Sequence, residues 1–269
     1  YWGHMNLRER VDRFFIAQFE GLPLDQADEM DILEANGSVN FGSNKAYRAM
    51  LKKIKAGSPA TNPDDLQYIL DNVDVDNLFE YMALEMFVGN SDIGNIRYYR
   101  LHQEGSKWKW IWYDADYGLY SSKFNSPWSY LKVKGMGEQK IDNTIFLKLL
   151  EHPDYKRKFL EKLADVYKTF TTEYMTQVLD GVLAEIQPEM KNHWERWGEL
   201  NDKAVTSEVP TTIDGAYTYW ESRVNRLYNT LKVRPHRLWD FIKDEFKLTK
   251  TEMEELFGPQ PDYPDDAVL

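Results

Sequence analysis

The sequence predicts an α+β fold, mostly helical and organised around one central β-hairpin. Two patterns carry that expectation. Apolar residues recur at helical spacing in stripe after stripe from Tyr47 to Phe246, and the period gives way to strand-like alternation between Ile96 and Tyr113. A length of 269 residues is ample to bury a core, as one large domain or two small ones.

Tyr1 to Leu7 reads as an opening strand, followed by a short helix on Val11, Phe14, Phe15, Ile16 and Phe19. Gly21 to Asn36 reads as acidic and irregular, and Asn36-Gly37-Ser38 as a turn. Ser43 caps a helix bearing Ala46, Tyr47, Met50, Leu51 and Ile54. Asn62-Pro63 supplies an N-cap with proline at the first helical position, opening a helix through Leu66, Ile69 and Leu70. Asp74 caps the next, whose apolar face is Leu78, Phe79, Met82, Ala83, Met86 and Phe87. Gly89 stops it in the left-handed position.

The hairpin follows. Ile96-Arg97-Tyr98-Tyr99-Arg100-Leu101 is rich in aromatic and β-branched residues, Gln103-Glu104-Gly105-Ser106 is a turn, and Lys107 to Tyr113 alternates like a half-buried strand. A loop of those four residues sets Asn95 opposite Asp114, one step beyond the last rung. Asp116 shares a face with Asp114 if the chain stays extended. The open end then gathers an amide and two carboxylates, with Asp92 just before them.

Leu119 to Asn143 has no clear period and reads as a surface loop, with Gly135-Met136-Gly137 inside it. Helices return at Ile145 to Leu150, from Pro153 through Phe170, and from Met175 to Ile186, where Pro188 breaks the run. Tyr217, Trp220, Val224, Leu227, Tyr228 and Leu231 stripe a long helix ending before Arg234-Pro235, and Trp239, Ile242 and Phe246 continue beyond it. Thr249 with Glu252 is a capping box for a last short helix. His193, Trp194, Arg196 and Trp197 have the spacing of residues that pack one helix on another.

Hard oxygen ligands at the hairpin end suit Mg²⁺ or Mn²⁺, which take carboxylates, amide carbonyls and substrate phosphates. Protein kinases use the same parts: a catalytic Asp, a nearby metal-binding Asn, and a metal-binding Asp before an aromatic-Gly pair. Asp116-Tyr117-Gly118 has that last form. Either cluster alone is commonly just an Asp-rich turn.

These residues resemble the spore-coat protein H (CotH) kinase family, which carries a similar Asn-x-Asp…Asn block, a strand pair and an Asp-x-Asp-aromatic-Gly block. Tyr1-Trp2-Gly3 through Arg8-Glu9-Arg10-Val11-Asp12 is similar to another family segment, as are Asn143-Thr144 with Leu149-Leu150 and Pro153, and Pro188-Glu189-Met190 with His193, Arg196 and Trp197. Asp92 and Asn95 stand three residues apart, closer than in many members. The resemblance implies a protein-kinase-like fold over 1–257: mainly the helical C-lobe, with the hairpin and a remnant of the N-lobe sheet, and a linker or tail at 258–269. It places the rest of the N-lobe, with its phosphate-anchoring Lys, upstream of this sequence, so that residues 1–269 alone are expected to transfer phosphate very poorly.

The implied function is metal-dependent transfer of phosphate from ATP to Ser or Thr of a protein. Asp92 is the expected catalytic residue, Asn95, Asp116 and Asp114 the metal ligands, and the segment around Glu9 and Arg10 the adenine contact. The implied setting is the spore coat or cell surface. A different class stays open on the same scaffold: a non-catalytic spore-coat or surface module that binds a protein without turnover.

Composition excludes several classes. Lys plus Arg number 33 against 44 Asp plus Glu, a net charge of −11 with no basic stripe, which argues against nucleic-acid binding. Cysteine is absent, excluding disulfides and thiolate metal sites, and the five histidines lack zinc spacing. No apolar run is long enough to span a membrane, and no Gly-x-Ser-x-Gly elbow points to a serine hydrolase. The Pro- and Asp-rich end reads as a linker to a possible further module.

Overall fold

The structure, a computed structural model, describes residues 2–5, 7–90, 92, 94–120, 141–204 and 212–265. A four-stranded antiparallel sheet lies between a large helical layer and a small one. Its strands are β1 (Met30–Glu34), β2 (Ser38–Phe41), β3 (Arg97–Leu101) and β4 (Lys109–Ile111), in the order β2-β1-β3-β4. One face packs on the main core and the other on a satellite core covered by α1 (Arg13–Phe19). Asp12 caps α1, its Oδ1 accepting the amides of Phe14 and Phe15 at 2.9 and 3.3 Å.

The segment Gly21–Asn36 is thus not irregular: it contains β1, the inner strand that pairs with both β2 and β3. Met30 and Ile32 enter the satellite core while Leu33 enters the main one, so the strand is buried on both sides. The buried Asp31 between them hides the pattern. Its carboxylate accepts the Ser43 amide at 2.7 Å and meets His102 Nε2 at 3.1 Å, which makes burial tolerable. The expected opening strand is absent. The described residues before Asp12 form no strand, and instead dock against α8 (Met190–Ala204): Trp197 Nε1 donates to Trp2 O at 2.8 Å and the His4 amide to His193 Nδ1 at 3.1 Å.

The main core is built by α2 (Lys45–Ala56), α3 (Pro63–Asn72), α4 (Val75–Val88), α5 (Thr144–Leu150) and α6 (Pro153–Thr169). Most of the expected caps are present: Asn62 takes the Asp64 amide, Asp74 takes the Asn77 amide, and Gly89 sits at φ 65°, ψ 44°, but the N-cap of α2 is Asn44 rather than Ser43, whose Oγ accepts only the Lys45 amide at 3.3 Å. Phe79, Phe146 and Phe159 from three of these helices meet pairwise with centroids 4.8 to 6.0 Å apart. Edge-to-face pairs of this kind contribute about 1 kcal/mol each beyond burial.

Two further corrections concern register and a proline. The hairpin pairs Arg97 with Ile111, Tyr98 with Trp110 and Tyr99 with Lys109, one residue out of the expected register. Trp108 is the reason. Its backbone is claimed by the turn into α4, with its amide on Asn72 O at 2.8 Å and its carbonyl accepting Asp74 N at 3.0 Å. Asn77 of α4 completes the seam, exchanging 2.6 and 3.0 Å bonds with the Trp110 backbone at the sheet edge.

The second correction is that the long helix does not end at Arg234-Pro235. α9 runs unbroken over Ile213–Phe246. An interior proline costs about 3 kcal/mol because it removes one amide and crowds the carbonyl four residues back. Burial of Leu231, Val233, Leu238 and Trp239 at about 1.5–3 kcal/mol each outweighs that. The carbonyl left over, Leu231 O, is met by Thr172 Oγ1 at 2.9 Å from α7 (Thr172–Ile186). α10 (Lys250–Phe257) carries the expected Thr249–Glu252 capping box. Beyond it the chain lies along α9, with Trp239 Nε1 on Gly258 O at 3.1 Å and Gln260 on Asp240 at 2.8 Å. The segment Leu119 to Asn143, read as a surface loop, falls mostly at 121–140, outside the described residues.

Candidate active site

Helix α4 sets the position of the first polar cluster. Its left-handed Gly89 turns the chain, and Asn90, 2 % exposed, accepts the Asp92 amide on its side-chain oxygen at 3.0 Å. Asn95 then donates its backbone amide to Asp92 O at 3.2 Å. This compact turn closes the three-residue spacing between Asp92 and Asn95 and holds both just before β3.

At the open end of the hairpin Asn95 Nδ2 hydrogen-bonds Asp114 Oδ2, while Tyr113 OH donates to Asn95 Oδ1 at 2.9 Å. The one-residue slip sets Tyr113 opposite Asn95 and leaves Asp114 one step further on. Asp114 still reaches back because it adopts a left-handed φ of 55°, which ends the extended run. Burial raises the Tyr113 pKa, opposed by Arg97 and reinforced by Glu34, Asp114 and Asp92, so the phenol stays a donor. Arg97 stacks on the Tyr113 ring at 5.0 Å, donates to Val11 O and pairs with Glu34 at 3.2 Å.

The bend at Asp114 also means that Asp116 does not return to the same face as the sequence pattern requires. It is exposed, in a turn closed by Gly118 N on Ala115 O at 2.9 Å, and among the described residues it makes no hydrogen bond or ion pair with Asp92, Asn95 or Asp114. That turn is nonetheless fixed to the same helix. The Leu119 amide donates to Val88 O at 2.6 Å, and a Cβ on Gly118 would stand 2.9 Å from Val88 Cγ2. Only glycine permits that approach.

Arg8, named by sequence only as part of the family-like segment and given no role, lies 3.8 Å from Asp114 Oδ1. Glu9 and Arg10 are exposed beside it, and Arg10 meets Asp12 at 3.9 Å rather than any of the four polar residues. Tyr113 was legible only as a strand residue. Arg8 had no signal beyond its position next to Glu9 and Arg10.

The donor set is all hard oxygen: the Asn95 amide oxygen and the carboxylates of Asp92, Asp114 and Asp116. No group of three or more His, Asp and Glu gathers at metal distance among the described residues. Mg²⁺ does not require one, since it is commonly held by one or two carboxylates, water and substrate phosphates. The residues present fit that mode.

A helical body with an antiparallel sheet, and polar groups brought together where a buried helix and a hairpin end, define an α+β domain of kinase-like fold. The chain belongs to the CotH family: the family model described as CotH kinase protein matches residues 17–238. No curated protein and no solved structure matched the chain. Among the described residues no helix is long and apolar enough to cross a membrane.

Proposed function

We propose that this domain is a metal-dependent kinase of the CotH type, which moves the γ-phosphate of ATP to a serine or threonine of a protein. The observation that supports it is the joining of Asn95 to Asp114 and, through the backbone, to Asp92, on a turn fixed by the end of α4. Asp92 would accept the proton of the attacking hydroxyl as the new P–O bond forms and ADP leaves. Asn95 Oδ1 and Asp116, with Asp114 as a further oxygen, would hold Mg²⁺ or Mn²⁺. When bound, the ion would supply charge neutralisation on the phosphates. The backbone of the segment around Glu9 and Arg10 would meet the adenine, with Arg8 keeping that segment beside Asp114. A spore-coat or surface setting accords with the family.

The test is transfer from radiolabelled ATP to a protein acceptor by the full-length protein, with Mn²⁺ and without. Asp92→Asn is expected to lower transfer at least about a hundredfold while nucleotide affinity stays within a few-fold. Undiminished transfer would reduce Asp92 to the cap of a turn. Equal metal–nucleotide affinity in wild type and Asp116→Asn would remove Asp116 from the site.

A second reading, a protein-binding module without turnover, is favoured by one observation: Arg8 and Asn95 already occupy Asp114. The two readings separate by thermal melting. A kinase gains stability from Mn²⁺ with ATP by mass action, whereas the module gains none.

A further inference from the structure

The last carbonyls of α4 have no partner within their own helix, as at any helix end. Two of them are met from far along the chain. Arg234 of α9, 2 % exposed, donates from Nη2 to Met86 O at 2.8 Å and from Nε to Phe87 O at 3.0 Å. The third, Val88 O, takes the amide of Leu119 at 2.6 Å. One helical turn therefore anchors both polar loops: the one that leads through Asn90 to Asp92, and the one that carries Asp116.

The chemistry of the clamp suits that place. A guanidinium presents several donors in a planar fork, and two of them reach successive carbonyls that one ammonium does not reproduce. Its positive charge lies at the negative end of the helix dipole. Burial lowers its pKa only to about 10, so it remains a cation at neutral pH. The residue stands immediately before Pro235, on a stretch of α9 that is itself fixed by Thr172 at Leu231 O and by Tyr167 OH at Pro235 O, 3.1 Å. The clamp is therefore rigid from behind.

We propose that Arg234 is a positioning residue for the site: it fixes the last turn of α4 and so holds the loops of Asp92 and Asp116 in mutual register. Its effect on transfer rests on the kinase reading above. Its effect on the loops does not.

The experiment compares Arg234→Met and Arg234→Lys with wild type in the full-length protein. Met253→Ala, which empties a buried site in α10, controls for general loss of stability. Hydrogen exchange is read by peptide segment, alongside single-turnover transfer and nucleotide affinity. Arg234→Met is expected to speed exchange at least about tenfold in 89–95 and 116–119, leaving α10 unchanged. It should lower the transfer rate at least about tenfold with nucleotide affinity within threefold. Arg234→Lys should recover part of both. Met253→Ala should do neither.

Unchanged exchange in both loops of a folded Arg234→Met overturns the proposal. If Arg234→Met fails to fold, Arg234→Lys decides it, and wild-type exchange and rate in that variant overturn it. If the full-length wild type transfers no phosphate, the kinase reading falls while the exchange data still judge the clamp.

Discussion

Glu20, just past the end of α1, ties three elements together. Its Oε1 receives Lys109 Nζ at 2.7 Å from β4 and the hydroxyl of Tyr99 from β3. Burial by itself would raise its pKa, but the hydrogen bonds of Lys109 and Tyr99 and the charge of Lys109 outweigh that and lower it. A carboxylate with a depressed folded pKa contributes stability above its unfolded value, near 4.3, and that contribution fades as pH falls through the folded one. Glu20→Gln is therefore expected to lower stability at pH 7, and the gap from wild type should close on acidification below about pH 4. Urea melts across that range check it, and a gap independent of pH would mean that Glu20 acts through packing alone. At this scale sequence reading brought residues together correctly where the pattern is short and local. Asn95, Asp114 and Asp92 could be chosen because strand alternation and turn residues put them at one end of a hairpin. Tyr113 and Arg8 could not be assigned roles, since what matters in them is a bond across the hairpin or across the leading segment.

Helix α9 shows how an element resolves a local contradiction. Proline at 235 deprives Leu231 O of its partner, and Thr172 Oγ1 replaces it. Thr172→Val is expected to destabilise by about 1–2 kcal/mol, the cost of leaving a part-buried carbonyl unmet. In the Pro235→Ala background, where residue 235 regains an amide for that carbonyl, the loss should shrink below half. A double-mutant cycle by denaturant melts measures it. Full additivity would separate the two residues. Sequence patterns placed the helices well, since their stripes and caps are local. They failed where a distant partner decides the outcome. β1 was hidden because Asp31, buried and satisfied by Ser43 and His102, interrupts its apolar run. The hairpin register shifted by one because α3 and α4, not β3, take the backbone of Trp108. The continuity of α9 depended on burial at several positions overriding one proline.

Across the whole molecule the sheet separates two cores of unequal size. The large one includes Leu163, Phe159 and Ile242, while the small one rests on Ile16, Ala17, Met30, Ile32 and Tyr99. Ile16 is 1 % exposed, and Ile16→Ala is expected to cost about 2–5 kcal/mol locally. Segment-resolved hydrogen exchange should show α1 and the neighbouring face of β1 opening first, with α4 and α6 keeping their protection. Leu163→Ala should instead loosen the bundle. Uniform loss of protection in both variants would show one cooperative unit. The bundle was legible because each stripe declares a buried face. The small core was not, because Met30 and Ile32 at its centre come from a strand without a visible period.

The two anchors that flank 121–140 bear on inheritance. On one side the Leu119 amide is fixed to Val88 O. On the other, Asp142 is held by Lys55 and Thr144, with its own amide on Asn36 at 2.8 Å. The first anchor is backbone on both sides and is indifferent to side-chain identity, whereas the second spends the side chains of Asn36, Lys55, Asp142 and Thr144, so those four change together or not at all.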